Sequence, residues 1–162
     1  MAYSKILKRI RSEKTNYRKR KIMLMSKRDF ISIDVTNENA HIQVLQPEIS
    51  GDKVNASAHS RFLLKDGWKG SRKNIPAVYL TGYYAGKKAL SKGVSNAIIY
   101  SGTRKYTQRM AAGVKGLVDA GLQVPSSEET FPSEERINGD HLKVKNDIAS
   151  IKSKIDSEVV PQ

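Results

Sequence analysis

The feature that most constrains this chain is a change of hydrophobic period. From Phe30, apolar and polar residues alternate singly: Ile31, Ile33 and Val35 against Ser32 and Asp34, then Ile42 and Val44 against His41 and Gln43, then Val54, Ala56 and Ala58 against Asn55, Ser57 and His59. With turns at Asn37-Glu38-Asn39 and Gly51-Asp52, this spacing predicts three strands of an antiparallel meander with one apolar and one polar face. After residue 73 the period lengthens. Asn74 and Pro76 open a predicted helix that runs to about Lys92, with Gly93 just past its end. Gly82, Ala85, Gly86 and Ala89 share one side of it, a small-residue face that would let its backbone sit close to a sheet; Lys87, Lys88 and the short length argue against the membrane-dimer reading of Gly82-x-x-x-Gly86. Ala97-Ile98-Ile99-Tyr100 reads as a short strand buried on both faces and reached by that crossover helix. A second helix, about Lys105 to Ala120, turns Met110, Val114, Leu117 and Val118 inward and ends at Gly121. The expected fold class is α/β, a mixed sheet of three antiparallel strands plus a parallel strand with crossover helices.

Residues 29–125 form this expected core domain, between a basic arm, 1–28, and an acidic extension, 126–162. Charge follows the same division. Residues 1–30 hold eleven lysines and arginines against two acids, net +9, and residues 76–125 are net +6, whereas residues 126–162 are net −3, within a whole-chain charge of +13. In the arm, Lys5, Ile6, Leu7, Lys8, Arg9, Ile10 and Arg11 interleave basic and apolar residues. Thr15 is placed to cap a short helix carrying Tyr17 to Leu24. The arm has too little apolar surface to fold alone and is expected to order on a ligand. In the extension, Val144, Ile148, Ile151 and Ile155 form a narrow helical stripe that should dock on a neighbour, either this domain or another protein.

Most enzyme classes find no support in the sequence. The chain has no cysteine, so disulfides, thiolate metal sites and thiol nucleophiles are excluded. No apolar run approaches the roughly 18 residues that suggest a membrane-spanning helix, and Met1 to Arg11 has no apolar centre, so neither a membrane protein nor a secretory signal is expected. His41, His59 and His141 are scattered, Gly113-Val114-Lys115-Gly116 lacks the spacing of a phosphate-cradling loop, and Glu128-Glu129 and Glu134-Glu135 lie in polar stretches that leave them solvated. The order of three-strand meander, helix and strand resembles ribonuclease H-like topology. A metal-dependent nuclease on that frame is the alternative function, but Asp34 is the one carboxylate expected on the first strand, and two-metal chemistry needs a cluster.

Polyanion binding is better supported. Tyr17-Arg18-Lys19-Arg20, Trp68-Lys69 and Arg104-Lys105-Tyr106 set cations for phosphates beside flat rings for unpaired bases. DNA-reading motifs are missing, and cations spread over an arm, a loop and a helix start favour folded RNA.

Thr15-Asn16-Tyr17-Arg18-Lys19-Arg20, Asn74-Ile75-Pro76-Ala77-Val78-Tyr79-Leu80-Thr81-Gly82 with Ala85-Gly86, Gly116-Leu117-Val118-Asp119-Ala120-Gly121-Leu122 with Pro125, and Phe131-Pro132-Ser133-Glu134-Glu135-Arg136-Ile137 with Gly139 occur in that order. In these motifs the chain resembles the archaeal and eukaryotic branch of the large-subunit ribosomal protein eighteen family, whose eukaryotic members are called large-subunit protein five. The resemblance implies the translational machinery component form of the ribonuclease H-like topology. It also implies a non-catalytic, cofactor-free protein of the cytoplasmic ribosome. Such a protein binds 5S rRNA, anchors it in the central protuberance, and touches the large rRNA and neighbouring ribosomal proteins, with neither DNA nor membrane as partner. RNA-contact residues then carry over to Arg9, Arg11, Lys14, Tyr17, Arg18, Arg20 and Lys21 in the arm, and to Arg104, Lys105, Tyr106 and Arg109 ahead of the last core helix, while Arg28, Asn37 and Gln43 also match the family. Lys8, Lys19, Lys27, Trp68, Lys69 and Arg72 complete the expected set. Two positions depart from the pattern: Glu38 stands where relatives tend to have a basic residue, and Lys27 where a proline is usual.

Overall fold

The three alternating runs fold as expected except at Val54, which is 45% exposed, beyond a register shift where Val44 opposite Ala56 gives way to Leu45 opposite Val54. A computed structural model describes residues 7–12, 14–48, 51–102, 104–144 and 146–159; Lys5 and Ile6 lie outside them. In chain order the elements are α1 (Lys8–Arg11), α2 (Tyr17–Leu24), β1 (Asp29–Val35), β2 (Ala40–Gln46), β3 (Lys53–His59), a 3-10 turn (Ser60–Leu64), α3 (Ile75–Ser91), β4 (Ala97–Ile99), α4 (Gln108–Asp119), a second 3-10 turn (Glu128–Thr130), α5 (Glu134–Asn138) and α6 (Ile148–Glu158). The sheet order is β3-β2-β1-β4: β1 and β2 pair antiparallel with Ile33 opposite Ile42, β2 and β3 antiparallel with Ile42 opposite Ala58, and β1 and β4 parallel with Phe30 opposite Ile98. β4 is therefore not buried on both faces. It lies at the margin with Ile98 and Ile99 half-buried, and only a single bridge, Asn96 to Gln123, continues the sheet beyond it among the described residues.

Helices α3 and α4 cover the apolar face, where Ile31, Ile33, Ile42, Val44, Ala56 and Ala58 meet Val78, Ala85, Ala89, Val114 and Leu117. The caps fix their lengths. Asn74 Oδ1 accepts from the Ala77 amide at 3.1 Å, and Pro76 stands in the first turn of α3. At its end Gly93, with φ of 80°, lets its own amide reach Leu90 O at 2.9 Å and the Val94 amide reach Ala89 O at 3.1 Å. That double bond closes the last carbonyls, a geometry open to glycine at little cost. Gly121 ends α4 the same way, through bonds to Val118 and Leu117.

The small-residue side of α3 splits between two neighbours, which periodicity alone did not separate. Ala85 and Ala89 face the sheet as expected. Gly82 and Gly86 instead face α4: a Cβ on Gly82 would overlap the Gly113 carbonyl oxygen, and one on Gly86 would lie 2.7 Å from Ala120 Cβ. Gly116 presses back on Tyr79 in the same manner. The two helices thus cross backbone to backbone.

A third layer lies outside α3. Ile151 and Ile155 of α6 join Leu63, Trp68, Tyr79, Leu80, Tyr83 and Ile137 in a second buried cluster, so the C-terminal stripe docks on its own domain. Val144 is 44% exposed and takes no part. Two further bonds pin the helix: the Tyr83 hydroxyl donates to Asp156 at 2.9 Å, and Lys87 pairs with Asp156 at 3.0 Å. Burial and the Asp156 hydrogen bond hold the Tyr83 hydroxyl above its ordinary value. Burial works against ionisation of Asp156, yet hydrogen bonds from Lys87 and Tyr83 outweigh it and keep the carboxyl below its usual range.

Candidate nucleic-acid interface

The sheet's other face carries Phe30, Ser32, Asp34, Gln43 and Tyr100, and the arm lies across it. Asn16, not Thr15, caps α2, its Oδ1 accepting from the Lys19 amide at 3.0 Å. Thr15 is buried and accepts from Arg9 Nε at 3.0 Å, which ties α1 to the start of α2. One turn further along, Arg20 makes a two-pronged bond to Asp52, in the turn before β3, with one prong at 2.9 Å. Its guanidinium lies 5.8 Å from the centre of the Phe30 ring and 5.9 Å from that of Tyr100. Phe30 and Tyr100 themselves stack at 5.6 Å. The hydrogen bonds that Arg20 donates to Asp52 outweigh partial burial and raise the Arg20 pKa further, so this cation is held at home.

Between arm and sheet opens a cleft of about 680 Å³, walled by Arg9, Lys14, Tyr17 and Arg20 on one side and by Tyr100, Ser101, Gly102 and Arg104 on the other, with Ser32 and Asp34 at its base. Lys19 Nζ donates across it to Ser101 Oγ at 3.4 Å, and Arg104 pairs with Asp34. Two segments more than eighty residues apart thus contribute cations to one place. Lys8, Arg11, Arg18, Lys21, Lys105 and Arg109 are exposed and make no ion pair with a described carboxylate. Tyr106 is also exposed, though its partial burial raises the hydroxyl pKa.

The remaining expected residues lie elsewhere. Lys27 and Arg28 precede the start of β1, five and four residues before Ser32 of the cleft, about 13–17 Å along the strand. Lys27 has φ of 53°, a value closed to proline, whose ring fixes φ near −65°; the departure from the family pattern is built into the backbone here. Gln43 sits mid-sheet opposite Ser32 and Ser57. Arg72 Nε donates to Asn39 Oδ1 at 2.7 Å and so reaches the turn that holds Asn37 and the exposed Glu38. The Lys69 backbone is pinned by two bonds of 2.9 Å to the Asn146 amide group. Trp68 requires correction: it is 5% exposed, packed in the second cluster with its Nε1 donating to Ser71 O at 3.3 Å, so it has no free face for a base.

The structure also places Asp29 on β1, a second carboxylate on that strand. Five residues separate it from Asp34, about 17 Å, and it accepts from Asn55 at 3.3 Å while Asp34 is engaged by Arg104. Sequence reasoning missed Asp52 as the arm's clamp; an aspartate in a turn carries no mark of which arginine will find it.

A family model described as "Ribosomal large subunit proteins 60S L5, and 50S L18" matches residues 2–112. The chain belongs to that family. Among curated relatives, the large ribosomal subunit protein uL18 of Thermofilum pendens is 43% identical over 138 residues, 84% of this chain and 70% of that one. The uL18 of Aeropyrum pernix is 43% identical over 139 residues, 84% of this chain and 65% of its own length. That of Picrophilus torridus is 39% identical over 156 residues, 93% of this chain and 96% of that one. Membership makes the chain a structural, non-enzymatic constituent of the large subunit of the cytoplasmic ribosome, and the nuclease alternative is set aside.

Proposed function

We propose that this family member binds 5S rRNA and anchors it in the central protuberance of the large subunit, in contact with the large rRNA and neighbouring ribosomal proteins. The observation that carries the reading is the convergence of the arm cations Arg9 and Lys14 with Tyr100, Ser101, Gly102 and Arg104 on one open cleft, to whose wall Lys19 is bonded through Ser101. A folded RNA can thread such a cleft while exposed Arg18 and Lys21 neutralise phosphates alongside. Arg20 and Arg104 act differently, holding the arm and the cleft wall in place through Asp52 and Asp34. The test is a filter-binding competition at physiological salt between 5S rRNA and transfer RNA. Preference for 5S rRNA, with affinity falling steeply as salt rises, is expected; equal affinity for the two RNAs refutes the assignment.

A further inference from the structure

Strand β3 forms the outer margin of the sheet, and among the described residues its backbone makes no hydrogen bond on the side away from β2. Sheet edges usually carry charges, prolines, bulges or a covering element that keeps other chains off. Here Lys53 and the register shift between Ala56 and Val54 guard the start of the strand, whereas Ala56 to His59 carry no formal charge and pair in regular register with His41 to Val44. Those four residues offer about 13 Å of unpaired edge.

Beside that edge runs a groove of about 500 Å³ between β3, the first 3-10 turn and the second half of α3. Its apolar floor is the ring pair of Phe62 and Tyr84, centroids 4.5 Å apart. Arg61, Lys65 and Lys88 rim it, Lys88 Nζ lying 4.0 Å from the centre of the Tyr84 ring. None of the three pairs with a described carboxylate. An open edge presents amides and carbonyls in alternation. A polypeptide supplies the matching alternation, whereas a sugar-phosphate backbone offers mostly acceptors and would leave the outward carbonyls unmet. The three rim cations then select for acidic side chains. We propose that an extended, acidic segment of another protein of the large subunit adds to β3 as a fifth strand, seating an apolar side chain on Phe62 and Tyr84 and carboxylates against Lys65 and Lys88. The groove shares no lining residue with the RNA cleft, so one chain can hold both partners at once.

The test compares amide exchange of the full-length chain free and in assembled large subunits, with a photoreactive benzoylphenylalanine at Ser57 in a parallel preparation. The outward-facing amides of residues 56–59 should slow by at least about tenfold on assembly, and the photoreactive group should crosslink to one protein segment carrying Asp or Glu. The double variant Lys65→Glu with Lys88→Glu should lose that crosslink while keeping the free protein's unfolding curve and its 5S rRNA affinity. Unchanged exchange along 56–59, crosslinks to rRNA in place of protein, or a crosslink indifferent to the charge reversal would each overturn the proposal.

Discussion

Gly82→Ala probes the helix crossing on which the core depends. The added methyl would overlap the Gly113 carbonyl oxygen and lie 2.9 Å from its carbon and 3.1 Å from its Cα. All three atoms are backbone, so no rotamer change relieves the overlap, and α3 and α4 must separate by roughly an ångström to restore ordinary contact. A gap of that size forfeits about a quarter to a half of each dispersion contact across the interface, including those of Gly116 with Tyr79 and of Gly86 with Ala120 and Leu117. Overpacking costs about 1–3 kcal/mol, and an overlap with backbone atoms alone belongs at the top of that range, against about 1 kcal/mol recovered because alanine favours helix over glycine. The expected net loss is about 2 kcal/mol, a fall in Tm of roughly 4–8 °C for a chain of this size. Urea unfolding should show it as a lower midpoint with unchanged slope. Gly93→Ala supplies the contrast, because φ of 80° strains any side chain there but nothing lies within 4 Å of the new methyl; its loss should be about 1 kcal/mol. A Gly82→Ala protein as stable as its parent, or more so, would refute the backbone-to-backbone crossing.

Asp52→Ala should loosen the arm and weaken 5S rRNA binding, although it removes a negative charge from a basic region; tighter binding would show that bulk charge outweighs placement of the arm. Arg18→Ala and Lys21→Ala should each reduce the slope of log affinity against log salt by about one, while Arg20→Ala should cost more affinity than its single charge explains. Ile155→Ala, at a fully buried site, should destabilise by about 2–5 kcal/mol and expose the tail to protease; a neutral result would mean α6 is not docked. The contacts of α6 also depend on pH. The share from Asp156, whose carboxyl is lowered from an ordinary 3.8, is full above that value and lost as pH falls through the lowered one. The shares from Lys87, raised from 10.5 by its bond to Asp156, and from Tyr83, raised from 10.0 by burial, are full below those values and lost as pH rises through the raised ones. Methyl NMR of Ile151 and Ile155 should therefore show the docked helix best at neutral pH and loosening at both extremes; a spectrum indifferent to pH would count against the network.

The meander was legible because a period of two has one structural meaning, and the ends of α3 because Asn74, Pro76 and Gly93 are each suited to a single position. What periodicity could not say is which element lies opposite a given face. Gly82 and Ala85 belong to one small-residue stripe, yet one meets a helix and the other the sheet. An apolar run as short as Ala97 to Ile99 looks the same at a margin as in the middle, and β4 proved marginal. In the arm, Arg18 and Arg20 have identical credentials in sequence and different fates, decided by an aspartate thirty-two residues further on. Trp68 sits between a glycine and a lysine like a surface platform, but it is buried in one cluster with Leu63 and Leu80. The motifs that carry the family resemblance turn out to be largely those of packing: Gly82, Gly86 and Gly116 at the crossing, Asn16 and Asn74 at helix starts.

The crossing also bears on the proposed RNA contact. Because the backbone at Gly113 and Gly116 beds directly on α3, α4 with its first turn is held against α3 by close backbone packing rather than by adjustable side chains. Arg109 in that turn, and Lys105 and Tyr106 just ahead of its Thr107 cap, are thereby mounted on the rigid body itself. Cations held this way have little backbone entropy left to lose when phosphates arrive, whereas those of the arm are steadied chiefly through Arg20. A ligand engaging both would find one half of its site already set and would itself complete the ordering of the other.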